Sequence, residues 1–226
     1  MSEENSITLY GYWRSSAAYR VRIALNLKGL NYRSQSVHLV RNGGEQHGDE
    51  YHALNPTELV PTLIHNGLVI GQSMTILEYL DDTFPQLSLV PVGTDKYLAK
   101  SLAYDIAMDL HPINNLRVLQ YLKGELSCND EQSKQWYQHW VRVGFKSVEE
   151  KLAQLAERTP ALHSEGFVFG REPSITDVCL IPQVYNAIRF EVDLSEFPRI
   201  QSIWTHANTV QAFQDARPEN QPDAVI

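Results

Sequence analysis

Residues 7–25, ITLYGYWRSSAAYRVRIAL, decide the fold of this chain. The stretch begins as a short apolar and aromatic run, typical of a strand, and passes through Arg14-Ser15-Ser16 into apolar residues at helical spacing. At a strand-to-helix turn, free backbone N–H groups and the positive end of the helix dipole form a small anion site, to which serine hydroxyls add donors. Redox proteins of this layout carry a cysteine at the turn, whereas this sequence has none there. We therefore expect the anion bound at Ser15 to belong to a separate molecule.

The composition argues against several classes of protein. With 226 residues, 43% hydrophobic and 20% charged, the chain can bury a full core as one large or two small domains. The formal charge of −8 argues against nucleic acid, or an acidic membrane surface, as the main partner. The sequence shows no leader pattern and no apolar run of about 18 residues, so no membrane segment is predicted. Cys128 and Cys179 lie far apart in helical patterns, and we expect a cytoplasmic protein without disulfides.

Residues 6–86 are predicted to form a small mixed sheet with helices on its faces, in the order β-α-β, a connection, then β-β-α. After the first helix, Tyr32–Leu39 is strand-like, and Asn66-Gly67 between two short apolar runs indicates a hairpin. Gly71-Gln72-Ser73 then opens another helix. The pattern places three basic residues of the first helix away from its apolar stripe: Arg20, Arg22 and Lys28.

Residues 95–226 are predicted to be almost entirely helical, after a linker at 81–94 that contains prolines and a glycine. The helical patterns cover 95–122 with an interruption at His111-Pro112, then 131–157, 174–190 and 197–213, and an extended strap follows from Arg217. Ser174-Ile175-Thr176-Asp177 has the form of a capping box, which predicts the start of a buried helix.

Several local features could bind a small anionic ligand, and each has an ordinary structural alternative. Arg14-Ser15-Ser16 could be a plain helix cap, and Gly71-Gln72-Ser73 could be another. Val60-Pro61 is a candidate cis peptide that would turn the Val60 backbone outward, or simply a proline that begins a strand. In residues 109–117, Pro112 should kink the helix and leave polar groups lining a cavity, or merely close a turn. Arg189 ends an apolar helix, where it can face the helix dipole or bind a carboxylate. The histidine spacings match no metal-binding motif, and no metal site is predicted.

Taken together, six segments resemble the glutathione transferase superfamily, and in particular its zeta class, the maleylacetoacetate isomerases. In chain order the segments are WRSSAAYRVRIALNLKG, ALNPTELVPTL, GQSMTILEYL, DLHPINNLRVLQYL, PSITDVCLIPQVYNA-RF-VDL and the AFQ-ARPENQPDA tail. The resemblance spans nearly the whole chain. It implies a thioredoxin-like, glutathione-binding domain at 6–86, an all-helical, substrate-binding domain at 95–226, and a homodimer. It also implies glutathione-dependent cis–trans isomerisation of maleylacetoacetate, a small dicarboxylate, in the catabolism of tyrosine and phenylalanine.

The resemblance further implies a role for each matching residue. The catalytic turn would be Arg14, Ser15 and Ser16, with the Ser15 hydroxyl hydrogen-bonded to the glutathione sulfur. The residues that would hold glutathione are Gln46 at its glycyl end, Val60 at its cysteinyl part, Gln72 and Ser73 at its γ-glutamyl carboxylate, and His111 and Asn115 from the helical domain. The residues that would bind the substrate carboxylates are Arg14, Arg117 and Arg189.

Two departures from the family pattern leave alternatives open. Ala17 stands where many members have cysteine, so chemistry that depends on that thiol is not expected, and Leu59 replaces a common glutamine. The segment His111–Asn115 with Arg117 resembles the bacterial branch, which includes maleylpyruvate isomerases. The competing functions are therefore maleylpyruvate isomerisation, general glutathione transfer or dehalogenation, and a non-catalytic binding module.

Overall fold

The computed structural model describes residues 6–158 and 166–225. Its strands are β1 (Ile7–Gly11), β2 (Tyr32–Ser36), β3 (Thr62–His65) and β4 (Leu68–Gly71). Its α-helices are α1 (Ser16–Leu27), α2 (Asp49–Leu54), α3 (Ser73–Thr83), α4 (Asp95–Tyr104), α5 (His111–Ile113), α6 (Leu116–Gly124), α7 (Asp130–Arg158), α8 (Ile175–Arg189), α9 (Pro198–Ala207) and α10 (Gln211–Asp215). The chain divides into two compact units, Met1–Ser88 with Val210–Ile226, and Leu89–Thr209.

The first unit is built on a four-stranded sheet in the order β2-β1-β3-β4. The pair β1 and β2 is parallel, whereas β3 is antiparallel to both β1 and β4. The predicted order β-α-β then β-β-α is confirmed, and so is the hairpin, because Asn66 and Gly67 have φ values of 51° and 76°. The predicted strand Tyr32–Leu39 ends earlier, at Ser36, and the sequence pattern missed α2 altogether.

Helix α1 is bounded by clear local signals. The Ser15 side chain accepts a hydrogen bond from the Ala18 N–H and caps its start. At its end, Gly29 has φ 64°, and the Leu30 N–H bonds to the Leu25 carbonyl at 2.9 Å, as in a Schellman motif. The three basic residues that the pattern places away from the apolar stripe are nevertheless buried. Arg20 is 1% exposed, Arg22 is 3% exposed and the Lys28 side chain is 1% exposed.

These buried cations keep partners inside the first unit. Arg22 donates from Nε to the Ala216 carbonyl at 3.0 Å and from Nη2 to the Trp13 carbonyl at 3.0 Å. Near the end of the chain, the Asp223 carboxylate accepts from the Trp13 N–H at 3.2 Å. The end of the chain is therefore part of the unit that holds the sheet. The predicted domain ranges 6–86 and 95–226 stay a prediction, and the compact units divide the chain differently at its C-terminal end.

The second unit consists of helices packed around the buried helix α8. Its predicted capping box is present: the Asp177 carboxylate accepts from the Ser174 N–H at 2.8 Å and from the Ser174 hydroxyl at 2.7 Å. Burial raises the pKa of Asp177 above its ordinary value, and the hydrogen bonds from Ser174 oppose that shift. The predicted helix 197–213 is two helices, α9 and α10, and α10 belongs to the first unit.

The predicted interruption at His111-Pro112 lies instead at Asn114-Asn115. Before the proline, residues Asp105–Leu110 form a π-helical segment, in which the His111 N–H bonds to the Ile106 carbonyl five residues earlier. Proline has no N–H to donate and crowds the carbonyl four residues before it, so a wider turn absorbs it without ending the helix.

Candidate functional site

The strand register brings four segments of the first unit to one end of the sheet. Thr62, at the start of β3, pairs with Tyr10 near the end of β1 and with Gly71 at the end of β4. The end of β2 lies there as well, because Ser36 pairs with Gly11. Four segments therefore lie at the same end of the sheet: those that follow β1, β2 and β4, and the one that precedes β3. These segments carry every site residue predicted in the N-terminal half of the chain.

Ser15 lies in the turn between β1 and α1. Its backbone N–H bonds to the Tyr12 carbonyl at 2.9 Å, and its Oγ accepts from the Ala18 N–H at 3.2 Å. Because Oγ acts as the acceptor in that bond, the hydroxyl proton remains available for donation to a bound group. Ser16, the first residue of α1, is buried. The turn thus combines a hydroxyl donor with the positive end of a helix dipole.

Arg14 places a permanent positive charge one residue from Ser15. Its guanidinium donates to the Tyr12 hydroxyl, from Nη2 at 3.0 Å and from Nε at 3.3 Å. It also lies 4.8 Å from the centre of the Trp13 ring, a cation–π contact. These contacts hold the side chain beside the turn, so a negative charge near Ser15 would meet an oriented guanidinium.

The Val60-Pro61 peptide bond is cis, which is one of the two alternatives that the sequence left open for this proline. Two side chains fix the backbone on either side of it. The Tyr51 hydroxyl donates to the Leu59 carbonyl at 2.7 Å and lies 2.9 Å from the Thr62 hydroxyl, and Asn55 donates to the same two groups at 2.9 and 3.1 Å. Burial raises the pKa of Tyr51, so the phenol stays neutral as a donor. Among the described residues, no hydrogen bond uses the N–H or C=O of Val60.

A buried cation from α1, Arg20, lies at the start of α3, and the sequence pattern did not identify it as part of the site. Gln72 is exposed and adopts φ 64°, and Ser73 is the first helical residue, so neither side chain acts as an ordinary cap. The Ser73 Oγ, in a residue 6% exposed, accepts from the Arg20 guanidinium at 3.2 Å. A guanidinium beside a helix N-terminus reinforces its preference for anions. Basic residues in an amphipathic helix usually face water, which is why the sequence pattern did not indicate that Arg20 belongs to the site.

Gln46 is almost fully buried in a short 3-10 turn, Glu45–His47. Its Nε2 lies 2.9 Å from Nε2 of His47, while its Oε1 has no hydrogen-bond partner among the described residues. Gly44 adopts φ 110°, and a Cβ there would lie 2.5 Å from Gln46 Nε2. The missing side chain at Gly44 thus leaves the space that the amide occupies. An unpaired buried acceptor is unusual and marks a place for a ligand donor.

Three of the four predicted residues of the helical unit lie near the turn between α5 and α6. Asn115 caps α6 by accepting from the Arg117 N–H at 3.1 Å, His111 is half-buried, and the Arg117 side chain is exposed. The preceding residue, Asn114, was not predicted as a site residue. It is 6% exposed, and neither its Oδ1 nor its Nδ2 has a partner within residues 6–158 and 166–225. The indole N–H of Trp136 fixes this turn by donating to the Ile113 carbonyl at 2.9 Å.

Arg189 lines a cavity of about 310 Å³ between α6, the start of α7 and the end of α8. Its guanidinium lies over the Phe190 ring at 4.8 Å, and Phe190 stacks on Tyr137 with 3.6 Å between ring centres. Burial raises the pKa of Tyr137 to about 12, and the nearby Arg189 charge opposes that shift. The buried Ser133 hydroxyl also lines the cavity and has no described partner. The lining also contains Lys123 and Lys134, which pair with Asp130 and Glu191, so Arg189 is one of several charged groups there. Its planar guanidinium is the group suited to bind a carboxylate.

The described part of the chain contains no group of three or more His, Cys, Asp or Glu side chains suited to a metal ion. None of the helices within residues 6–158 and 166–225 has the length and hydropathy needed to cross a membrane.

Comparison with known proteins shows the family of this chain. The family model for the glutathione S-transferase N-terminal domain matches residues 5–82. A probable maleylacetoacetate isomerase of Vibrio cholerae is 53% identical over 220 residues, which cover 97% of this chain and 99% of that protein. The solved holo structure of a maleylpyruvate isomerase, a bacterial glutathione S-transferase of the zeta class, gives a TM-score of 0.90 at 36% identity and covers 96% of this chain and 100% of its own.

A second solved structure, a maleylacetoacetate isomerase of Methylobacterium extorquens AM1 with bound malonate and glutathione, gives a TM-score of 0.89 at 32% identity and covers 97% of this chain and 100% of its own. The first unit has the thioredoxin-like sheet of this fold, and the second unit is helical. The similarity to all three proteins extends over nearly the full length of the chain, far beyond the N-terminal segment that the family model matches. The chain therefore belongs to the zeta class of the glutathione transferases.

Proposed function

We propose that this protein is a glutathione-dependent cis–trans isomerase that converts maleylacetoacetate to fumarylacetoacetate. The observation that carries the proposal is the turn at Ser15, where a hydroxyl donor and a helix N-terminus lie at the sheet edge with no protein thiol beside them. The named relative from Vibrio cholerae, similar over its whole length, supports the choice of substrate.

Three features of the first unit fit glutathione. The unpaired backbone of Val60 can pair with a peptide, as an edge strand would. The start of α3, with Gln72, Ser73 and Arg20 beneath it, suits the γ-glutamyl carboxylate. Gln46 offers an unpaired buried oxygen for the other end of the tripeptide. The glutathione bound in the Methylobacterium extorquens enzyme supports this assignment.

When bound, glutathione supplies a thiolate whose reversible addition to the cis double bond permits rotation. The task of the Ser15 turn is to keep the sulfur ionised near neutral pH. An ordinary thiol has a pKa of about 8.5, and lowering it by about two units requires about 2.7 kcal/mol. A helix dipole contributes up to about 2 kcal/mol, and a hydrogen bond to a charged acceptor about 1.5–3 kcal/mol. Ser15 and α1 together therefore suffice without a histidine base or a metal.

The arginines suit the dicarboxylate substrate. Arg14, Arg117 and Arg189 are planar, permanently charged donors, which bind carboxylates better than lysine does. In this proposal Arg14 acts beside the reacting bond, Arg189 binds a carboxylate at its cavity, and Arg117 adds a third positive charge. The family resemblance assigns His111 and Asn115 to glutathione binding as well. The malonate in the Methylobacterium extorquens enzyme supports a dicarboxylate.

Maleylpyruvate is the second candidate substrate. It is favoured by the similarity to the solved maleylpyruvate isomerase, which covers 96% of this chain. The two substrates differ by one methylene group, a difference that a binding pocket discriminates by only about 1–3 kcal/mol. We therefore expect activity on both substrates. Maleylacetoacetate should be the better one, because the identity to the Vibrio cholerae relative, 53%, exceeds the 36% identity to the maleylpyruvate isomerase.

We also infer a cytoplasmic homodimer. The edge strand β4 exposes Leu68 (50% exposed) and Val69 (44% exposed), and exposed apolar side chains on an edge strand favour burial against a second copy. The free cysteines Cys128 and Cys179 suit a reducing compartment.

An absorbance assay with each substrate, with and without glutathione, tests this function. We expect isomerisation of both substrates only when glutathione is present, with the higher kcat/KM for maleylacetoacetate. A higher kcat/KM for maleylpyruvate would reverse the order of the two substrates. Equal rates without glutathione would contradict the mechanism.

A further inference from the structure

Three side chains form a hydrogen-bonded series that ends at the unpaired oxygen of Gln46. Glu58 Oε2 lies 2.6 Å from Nδ1 of His47, and Nε2 of His47 lies 2.9 Å from Nε2 of Gln46. On the other side of the Gln46 amide, Oε1 is buried without a described partner. The series connects residue 58, two positions before Val60, with the turn that carries Gln46.

The donor and acceptor roles in each hydrogen bond of the series determine those in the next. A carboxylate only accepts, so Nδ1 of His47 must carry a proton, and the hydrogen bonds from His47 and His52 hold the pKa of Glu58 below its ordinary value. The amide nitrogen of Gln46 only donates, so its 2.9 Å contact places a lone pair on Nε2 of His47. Protonation at Nε2 alone would place the Nδ1 lone pair against the carboxylate. Glu58 thereby selects the tautomer, and His47 selects the orientation of the amide.

We propose that Glu58 and His47 are positioning residues that orient Gln46 so that its side-chain oxygen accepts the glycyl N–H of bound glutathione. The inference rests on the proposed glutathione site and adds to it a direction: Gln46 accepts from the tripeptide. Neither Glu58 nor His47 needs to touch the ligand. The surrounding turn is anchored independently, since the Glu45 carboxylate accepts from the His38 N–H at 2.7 Å and the Glu45 N–H bonds to the His38 carbonyl at 2.9 Å.

His52 provides a matched control inside the same cluster. Its Nδ1 lies 2.7 Å from Oε1 of Glu58, the other oxygen of the same carboxylate, and its side chain is as exposed as that of His47. Among the hydrogen bonds of the described residues, none joins His52 to Gln46. Removing His52 therefore removes an equivalent surface hydrogen bond without disturbing the tautomer of His47.

The test is calorimetric titration of the full-length protein with glutathione and with γ-glutamylcysteine, which lacks the glycyl residue and its N–H. We expect His47→Leu and Glu58→Ala each to raise the Kd for glutathione about five- to tenfold, the loss that corresponds to one oriented hydrogen bond. The Kd for γ-glutamylcysteine should change less than about twofold. Glu58→Gln keeps an oxygen acceptor for His47 and should restore most of the affinity, and His52→Ala should leave both ligands unaffected.

The double variant His47→Leu/Glu58→Ala should bind glutathione no more weakly than His47→Leu alone, because both substitutions break the same series. Equal weakening of both ligands would assign the two residues a merely structural role and overturn the inference. So would unchanged glutathione affinity in either single variant. If the unsubstituted protein failed to bind glutathione at all, the proposed function would fall with it, whereas normal binding with insensitive variants would overturn the positioning role alone.

Discussion

Ser15→Ala is expected to lower kcat/KM for isomerisation about 10- to 150-fold, the loss of a hydrogen bond worth about 1.5–3 kcal/mol to a charged acceptor. The Oγ of Ser15 already accepts from the Ala18 N–H, so its proton is free to stabilise a thiolate. The same substitution removes the cap of α1, with a stability loss of about 1 kcal/mol. Thermal unfolding must therefore be measured beside the kinetics, to show that the variant is folded in the assay.

A chemical readout separates the two roles of Ser15. In Ser15→Ala the pKa of the bound glutathione thiol, followed by ultraviolet thiolate absorbance, should rise towards its free value. Ser15→Thr keeps both the hydroxyl and the cap, so this control should stay within a few fold of the unsubstituted enzyme. Full activity in Ser15→Ala would refute the assigned role. An unchanged pKa of the bound thiol would mean that Ser15 serves only as the cap of α1.

Lys28→Met is expected to destabilise the protein by about 3 kcal/mol, because it removes one partner of a buried ion pair. The Lys28 ammonium is almost fully buried and bonds to Asp81 Oδ1 at 2.9 Å and to the carbonyls of Phe84 and Leu87 at 2.8 and 2.5 Å. It therefore ties the end of α1 to the end of α3 and the segment after it. Methionine fills a similar volume but removes the ammonium from both carbonyls and from the Asp81 carboxylate, which keeps the hydrogen bond from the Ser88 hydroxyl at 3.1 Å.

Lys123→Met is the matched control for this prediction. Lys123 also pairs with an aspartate, Asp130, but both side chains are exposed, so the loss should stay below about 1 kcal/mol. Urea unfolding of both variants gives the comparison as a difference in midpoint at constant slope. Similar small losses in both variants would mean that the Lys28 contacts contribute no more than a surface ion pair does.

The features that sequence patterns predicted are those with local causes. The strand-to-helix turn at Ser15, the hairpin at Asn66-Gly67 and the capping box at Ser174 each depend on a few neighbouring residues. Their backbone preferences and caps act within one turn of chain, so the residues themselves carry the information.

The features that were missed depend on partners distant in sequence. Arg20, Arg22 and Lys28 lie on an amphipathic helix, and only the carbonyls and side chains that fold over them make burial favourable. The same holds for the His47–Glu58 contact, which spans eleven residues, and for the unpaired amide of Asn114. The roles assigned to Gln46, Val60, Gln72 and Ser73 came from family resemblance. The structure adds that their segments share one edge of the sheet.

In the proposed reaction, glutathione takes part and is regenerated. Titrating free thiol while maleylacetoacetate is converted tests it directly, because isomerisation leaves the thiol count unchanged and conjugation consumes one thiol per product. We predict many turnovers of fumarylacetoacetate per glutathione with constant free thiol. A fall in thiol that matches product one for one would instead identify the protein as a conjugating glutathione transferase.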